Sequence, residues 1–181
     1  IKNTRQPLFI EGHRLTTLQN RGLDISVILD LMIHDIDLIL QLVKSPLKEI
    51  IADGISVLSN NIDLATARLV FENNCIVNLT ASRISNKNMR KLRVFEKNKY
   101  SSINLLEKTV DEYEINKLLN NKINVQHNKK TFIKEDALKK ELEHFLTCIN
   151  SKTYTLNNMH TAYNALKIAI QINDIIHNKH N

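Results

Sequence analysis

One run of the sequence combines side chains that can move a proton with the spacing of a helix. Asp30 and His34 are four residues apart, and Asp37 follows three residues later. On an α-helix, residues four apart lie about 5–6 Å from each other at Cβ, so Asp30 can accept a hydrogen bond from one imidazole nitrogen of His34. The other nitrogen is then basic and points outward. Such a pair suits alcohol oxidation, in which a base removes the hydroxyl proton while hydride leaves the carbon.

The residues around this pair predict an almost wholly apolar helix. The helical pattern runs from about Asp24 to Val43 and ends before Pro46, which cannot continue it. At about 100° per residue, a stripe about 80° wide holds the polar side chains, which are Ser26, Asp30, His34, Asp37 and Gln41. The rest of the cylinder is apolar apart from Asp24 and Asp35. Such a helix is buried on most sides, so its polar stripe must face a cleft or internal partners.

Spacing alone leaves two other interpretations of this stripe open. A buried pair of Asp30 and His34 could tie the helix to a sheet without doing chemistry. These two residues and Asp37 could also hold a metal ion. The sequence identifies no further ligands for such an ion, so we predict no metal site.

Basic residues upstream of the helix are candidates to bind a substrate. His13, Arg14 and Arg21 precede the helix and could contact a phosphate or a sugar hydroxyl, as could Asp37 on the polar stripe. A surface ion pair is an equally open interpretation of each basic residue.

The remaining patterns predict an α+β domain. Alternation indicates strands at Pro7–Leu15, Lys48–Leu58, Leu64–Glu72, Cys75–Arg83, Arg90–Glu96, Tyr100–Leu106 and Thr109–Ile115. Because short turns join consecutive strands, we expect an open, mainly antiparallel sheet with helices packed on one face. Apolar stripes from Leu138 to Ile149 and from Ala162 to Ile176 predict two closing helices. Without an internal repeat or a glycine-rich linker, residues 1–181 are treated as one domain.

Composition argues against two classes of partner. No apolar run reaches about 18 residues, so we expect no membrane span. The net charge of +6 suggests nucleic acid, but aromatic residues are only 5% and no binding signature is present. Positive charge is concentrated between Asn116 and Lys134, which we interpret as a solvated loop. Cys75 and Cys148 lie in apolar stretches without metal-ligand spacing, which indicates reduced thiols and a cytoplasmic protein.

Several segments resemble, in order, the C-terminal domain of the Gfo/Idh/MocA oxidoreductases, the relatives of glucose–fructose oxidoreductase and inositol dehydrogenase. The similarity rests on Asp30–Leu38 after an Arg-Gly loop, and on Phe9–Arg14, Thr80–Ser85 and Glu141–Phe145. The segment Phe9–Arg14 is similar to the corresponding segment of a bacterial branch of the family, whose members act on sugars or nucleotide sugars. Asn116–Lys130 looks like a divergent insert.

The resemblance implies the catalytic, substrate-binding part of an enzyme. Family members pair such a domain with an N-terminal Rossmann domain that binds NAD or NADP and contributes the lysine of a Glu-Lys-Pro motif. Carried over by motif, His34 would be the acid/base residue and Asp30 its partner, acting on a sugar or nucleotide sugar. This sequence has three glycines, no dinucleotide fingerprint and no Glu-Lys-Pro. We therefore expect the Rossmann domain to be absent from this chain, and the chain to be inactive alone.

The expected partner of the domain is a second copy of itself. The resemblance implies a homo-oligomer formed through the open face of the sheet, which would otherwise expose much apolar surface. The rival hypothesis is a non-catalytic module that binds a carbohydrate or only oligomerises after loss of the cofactor domain. A Rossmann fingerprint upstream would favour the enzyme, whereas a natural start near Ile1 would favour the rival.

Overall fold

The computed structural model describes residues 6–18, 22–117, 123–133, 136–151 and 156–180. Within these ranges one eight-stranded sheet is formed by β1 (Phe9–Thr17), β2 (Leu47–Ile55), β3 (Leu64–Phe71), β4 (Ile76–Ser85), β5 (Met89–Glu96), β6 (Lys99–Asn104), β7 (Thr109–Lys117) and β8 (Ile123–Thr131). The helical segments are a π-helical turn (Ile28–Met32), α1 (Ile33–Val43), α2 (Ala137–Ser151) and α3 (Leu156–His180). The predicted α+β class is confirmed.

The sheet has the order β2-β3-β4-β1-β5-β6-β7-β8. All neighbouring strands are antiparallel except β1 and β4, which run parallel at the centre. The prediction of an open, mainly antiparallel sheet is therefore confirmed, and the parallel central pair is an addition to it. Because parallel strands end at the same edge of a sheet, β1 and β4 bring their last residues together.

Helices α1 and α3 cover one face of the sheet and enclose the core. The alternation in β3 and β4 buries one side of each strand, as predicted, at Ala65, Ala67, Leu69, Phe71, Val77, Leu79 and Ala81. Helix α1 adds Ile36, Ile39 and Leu42, and α3 adds Ala169 and Ile172. No helix in the described part of the chain is both long and apolar enough to cross a bilayer.

The predicted helix from Asp24 begins later than expected. Regular helical structure starts at Ile28, and its first five residues form a π-helical turn instead of an α-turn. The preceding residues are held by contacts from elsewhere: the amide of Val27 donates to the carbonyl of Ile62 at 2.9 Å. The carbonyl of Ser26 then accepts a hydrogen bond from the amide of Asp30 at 3.0 Å, and the helical hydrogen-bond pattern begins there.

The prediction of a solvated loop between Asn116 and Lys134 is wrong over Ile123–Thr131. This segment is β8, which pairs with β7 along its whole length. Every side chain of β8 is exposed, and Ile123 and Val125 are its two apolar residues. The segment therefore shows little of the alternation between apolar and polar residues that indicates a strand in a sequence. It is instead joined to β7 by polar contacts, including Lys130 Nζ to Glu112 Oε2 at 2.6 Å.

The apolar stripe predicted on the first closing helix is exposed. The five members are 55–65% exposed, at Leu138, Leu142, Phe145, Leu146 and Ile149. Helix α2 therefore does not bury this stripe against the sheet, contrary to the expectation that both closing helices pack on it. The stripe of α3 is partly buried, with Ala165, Ile172 and Ile176 inside and Leu166 exposed.

The centre of the sheet gives a test of the packing. A Cβ atom added at Gly12 would lie 2.6 Å from Cδ2 of Leu79 and 3.0 Å from Cδ2 of Leu92. We expect Gly12→Val to lower the free energy of unfolding by about 1–3 kcal/mol through overpacking, measured by urea denaturation. His13 is the next residue of β1 and faces the opposite side of the sheet, so His13→Val should change the free energy of unfolding by less than about 0.5 kcal/mol. Equal effects of the two substitutions would contradict this packing.

Candidate active site

A cleft opens between the start of α1 and the sheet edge at which β1 and β4 end. Its volume is about 820 Å³, within the range of about 300–1,000 Å³ that is usual for small-molecule sites. The lining residues are Arg14, Thr16, Thr17, Gly22, Asp30, Leu31, His34, Asp37, Leu38, Arg83, Asn88 and Arg90. Four residues singled out in the sequence, namely Asp30, His34, Asp37 and Arg14, are thus brought to one cavity.

The polar stripe of the helix faces this cleft. Asp30 and His34 are exposed, and Asp37 is half-buried. Gln41 continues the stripe and donates from Nε2 to Oδ2 of Asp37 at 3.0 Å. Ser26, the fifth predicted member, precedes the helix and is buried. A mostly buried helix with a polar stripe on a cleft is therefore present, without Ser26.

The geometry of Asp30 and His34 differs from that of a regular helical pair. Asp30 lies inside the π-helical turn, where the amide of Ile33 donates to the carbonyl of Ile28, five residues back. The wider turn changes the angle between successive side chains. Among the described residues, no hydrogen bond joins the Asp30 carboxylate to the His34 imidazole. The two side chains nevertheless line the same cleft.

A buried ion pair forms the base of the cleft. Arg14 donates from Nε and Nη2 to the two carboxylate oxygens of Asp35, at 2.8 and 2.7 Å. The side chains of both residues are less than a tenth exposed. The sequence analysis left Arg14 open as a substrate ligand or a surface ion pair, whereas the structure places it in a buried, bidentate ion pair that joins α1 to β1. Removal of either partner would leave a buried charge uncompensated.

A second buried arginine holds the loop in front of Asp30. Arg83, near the end of β4, donates to the backbone carbonyls of Gly22 and Ile25. Its Nε lies 3.8 Å from Oδ1 of Asp63. Gly22 lies beside the carboxylate of Asp30, so Arg83 holds the backbone that leads into the π-helical turn.

The carboxylate of Asp63 anchors Arg83 from the other side. It accepts the backbone amides of Val57, Leu58 and Ser59 at 2.7–3.0 Å and the Ser59 hydroxyl at 2.8 Å. Burial alone would raise the pKa of Asp63, but these hydrogen bonds outweigh it and lower the pKa from 3.8 to about 2. Asp63 is therefore ionised over the ordinary pH range and supplies a fixed negative charge beside Arg83.

Two of the predicted substrate ligands are not among the cleft residues. His13 lies on the opposite face of the sheet, because side chains alternate along β1, and its Nε2 is 3.9 Å from Oε1 of Glu11. Arg21 lies outside the described residues. The described part of the chain contains no cluster of three side chains placed to bind a metal, so Asp30, His34 and Asp37 do not form one.

The structure adds cleft residues that the sequence analysis missed, notably Arg83, Arg90 and Asn88. Arg83 had a detectable signal: it follows Val77, Leu79 and Ala81 in the buried phase of β4, and a charge in that phase needs a partner. Asn88 accepts the amide of Thr17 at 3.0 Å. Nothing local marks Asn88 or Arg90, because they reach the cleft only through the pairing of β5 with β1.

Similarity to known proteins agrees with this geometry. The sequence model of the GFO/IDH/MocA C-terminal domain matches residues 11–98. A relative, UDP-N-acetylglucosamine 3-dehydrogenase from Acidithiobacillus ferrooxidans, is 35% identical over 144 residues, which are 79% of this chain and 46% of that protein. The chain is a C-terminal domain of the GFO/IDH/MocA family.

Solved structures extend the match to the whole GFO/IDH/MocA domain. The structure of UDP-N-acetylglucosamine 3-dehydrogenase GnnA from A. ferrooxidans has a TM-score of 0.83 at 31% identity, covering 94% of this chain and 54% of that one. A levoglucosan dehydrogenase in complex with NADH and levoglucosan shares the fold, with a TM-score of 0.79 at 11% identity over 96% of this chain and 57% of that one. The chain thus spans about half the length of the relatives it matches.

The low pKa of Asp63 makes a prediction about acid stability. A carboxylate whose pKa is lower in the folded state stabilises the fold above its unfolded pKa, near 3.8, and this contribution is lost as the pH falls toward 2. The shift corresponds to about 2 kcal/mol. We expect Asp63→Asn to be less stable than wild type at pH 5, with a difference that shrinks below pH 4.

Urea denaturation of the wild type and the variant at pH 5, 4 and 3 measures this difference. Asp53→Asn is the matched control, because Asp53 is an exposed aspartate paired with Lys179 at 2.7 Å and an exposed pair contributes little at any pH. A stability difference for Asp63→Asn that stays constant from pH 5 to pH 3 would count against the assigned cause.

Proposed function

We propose that this chain is the substrate-binding and catalytic domain of an NAD(P)-dependent oxidoreductase that acts on a hydroxyl of a sugar or nucleotide sugar. The observation that carries the proposal is the cleft of about 820 Å³ in which His34 and Asp30 are both exposed beside Asp37. The relative's name, UDP-N-acetylglucosamine 3-dehydrogenase, supports a nucleotide sugar as the substrate class.

The chain's own residues fit the substrate side of this reaction. When bound, NAD(P) supplies the acceptor or donor of hydride. This sequence has no glycine-rich loop that could bind the phosphates of the dinucleotide. Gly12 and Gly54 lie within strands and pack against side chains such as Leu79 and Ile62, and only Gly22 lies in a loop. We therefore propose that a Rossmann domain outside these residues holds the cofactor and closes over the open side of the cleft.

His34 is the proposed acid/base residue. Its imidazole is exposed to the cleft and removes the proton from the substrate hydroxyl during oxidation, or returns it during reduction. The positive charge that develops on the ring is stabilised by the nearby carboxylate of Asp30. Asp37 accepts hydrogen bonds from other hydroxyls and orients the ring of the sugar. Arg14 holds the helix that carries all three residues.

Substitution of the proposed base tests this role. In the complete protein with its cofactor domain, we expect His34→Ala to lower kcat at least about 100-fold, the lower end for loss of a general base. Cofactor affinity should change little, since His34 acts on the substrate. The measurements are steady-state oxidation of UDP-N-acetylglucosamine and cofactor titration.

His144→Ala is the matched control, because His144 is exposed on α2, away from the cleft lining. Its kcat should equal that of the wild type. Near-normal turnover of His34→Ala would remove His34 from the acid/base role.

The open face of the sheet is the proposed site of self-association. Five rings form a ladder across adjacent strands, formed by Phe9, Phe95, Tyr100, Tyr113 and His127, with centroids 4.4–5.8 Å apart. Phe95 of β5, and Ile51 and Ile55 of the edge strand β2 on the same face, are 37–51% exposed. Aromatic and apolar side chains on an uncovered face favour a protein interface, and we propose a homo-oligomer formed there.

Phe95→Asp tests the interface. We expect it to shift the complete protein to a smaller species in sedimentation equilibrium, because a charge would be buried between two copies. Phe132→Asp is the control, since Phe132 is also exposed but lines a groove on the helix side. An unchanged oligomer in Phe95→Asp would exclude this face.

The second candidate function is a non-catalytic carbohydrate-binding or oligomerisation module, and the aromatic ladder is the observation that favours it. Self-association through the open face is compatible with both functions, but only the enzyme requires a cofactor domain and the acid/base residue His34. We propose the cytoplasm as the place of action, with Cys75 and Cys148 both unpaired thiols. A reading frame upstream of Ile1 with a Rossmann fingerprint would decide for the enzyme.

A further inference from the structure

Three arginines lie in a row at the base and rim of the cleft. Arg83, Arg14 and Arg90 belong to β4, β1 and β5, which are adjacent strands. Arg14 is the direct cross-strand partner of Arg90 and also of Ala81, two residues before Arg83. All three side chains therefore project from the same face of the sheet, and all three line the cleft.

Two of these arginines are neutralised inside the protein. Arg14 is held by both oxygens of Asp35. Arg83 donates to the carbonyls of the Gly22–Ile25 loop and lies beside Asp63. Arg90 differs from both: its side chain is exposed, and its guanidinium forms no ion pair or hydrogen bond within the ranges that the structure describes. One guanidinium of the row is thus left for a ligand.

The residues around Arg90 are also hydrogen-bond donors. Thr16, Thr17 and Asn88 line the same strand side of the cleft. The Asn88 oxygen is used by the amide of Thr17, so the Asn88 amide nitrogen keeps both its hydrogens for other acceptors. The helix side of the cleft, with Asp30 and Asp37, instead presents oxygens that accept hydrogen bonds. The two walls are therefore chemically opposite.

We infer that Arg90 binds a phosphate group of the substrate, so that the cleft takes a phosphorylated sugar and discriminates against the free sugar. This inference rests on the proposed function and specifies the substrate class of the same cleft. A guanidinium binds phosphate oxygens through two parallel hydrogen bonds, and the threonine hydroxyls and the Asn88 amide add further donors. The carboxylates opposite, at Asp30 and Asp37, receive the sugar hydroxyls next to His34.

Binding of three related probes to the complete protein tests the inference. The probes are UDP-N-acetylglucosamine, N-acetylglucosamine 1-phosphate and N-acetylglucosamine, titrated by calorimetry in the presence of the reduced cofactor, which cannot accept a hydride from them. We expect Arg90→Gln to weaken binding of the phosphorylated probes about 10–100-fold, as for loss of a charge-assisted pair, and to leave free-sugar binding unchanged. Arg90→Lys should fall between wild type and Arg90→Gln. The losses of affinity of Arg90→Gln for the two phosphorylated probes, compared with each other, distinguish a diphosphate from a monophosphate as the group that Arg90 binds.

Arg93→Gln is the matched control, because Arg93 lies on the same strand but on the open face, paired with Glu11 at 3.0 Å. It should bind all three probes like the wild type. The inference is overturned if Arg90→Gln binds UDP-N-acetylglucosamine normally, if it weakens the free sugar equally, or if the wild type binds no phosphorylated probe more tightly than the free sugar. Unchanged thermal melting of Arg90→Gln verifies that the exposed substitution leaves the fold intact.

The same titrations separate this inference from the proposed function. His34→Ala should retain the affinity for UDP-N-acetylglucosamine while losing turnover. If His34→Ala keeps its turnover but Arg90→Gln loses the phosphorylated probes, the acid/base assignment fails and the phosphate site stands. If His34→Ala is inactive and Arg90→Gln binds the phosphorylated probes normally, the phosphate site fails and the acid/base assignment stands.

Discussion

The buried guanidinium of Arg83 joins three parts of the molecule that are distant in sequence. Its partners are the carboxylate of Asp63, which precedes β3, and the carbonyls of the Gly22–Ile25 loop. A buried cation needs such partners, and here its partners also fix the path by which the chain enters the helix. The wide π-helical turn follows, and it carries Asp30 to the cleft wall. The site is therefore positioned by a β-strand residue and not by the helix alone.

The sequence was sufficient wherever local periodicity determines structure. The apolar helix with a polar stripe could be predicted because the spacing of its own residues determines which side chains share a face of the helix, and therefore which face can be buried. The π-helical turn and the interior pair of Arg14 with Asp35 could not, because both depend on contacts between residues distant in sequence: Arg83 with the Gly22–Ile25 loop, and Arg14 of β1 with Asp35 of α1. The roles of Asp30 and His34 were derived from spacing and stay predictions, while the family itself was identified from short motifs and is confirmed.

The errors have a common physical origin. Pattern analysis detects an element through the contrast between its buried and exposed sides, and β8 has no buried side at all. Helix α2 shows the opposite case: its periodic stripe is real, yet Leu138 and Phe145 are 65% and 61% exposed. Periodicity indicates that a surface can be buried but does not say against which partner.

The fully exposed β8 also affects how the sheet ends. A terminal strand offers unpaired backbone donors and acceptors to any strand of another molecule, which is how fibrils grow. Lys129 of β8, which forms no ion pair within the described part of the chain, places a positive charge on this margin. Two such margins repel each other, so the sheet is protected from lateral extension into aggregates while its broad aromatic surface stays free for contact.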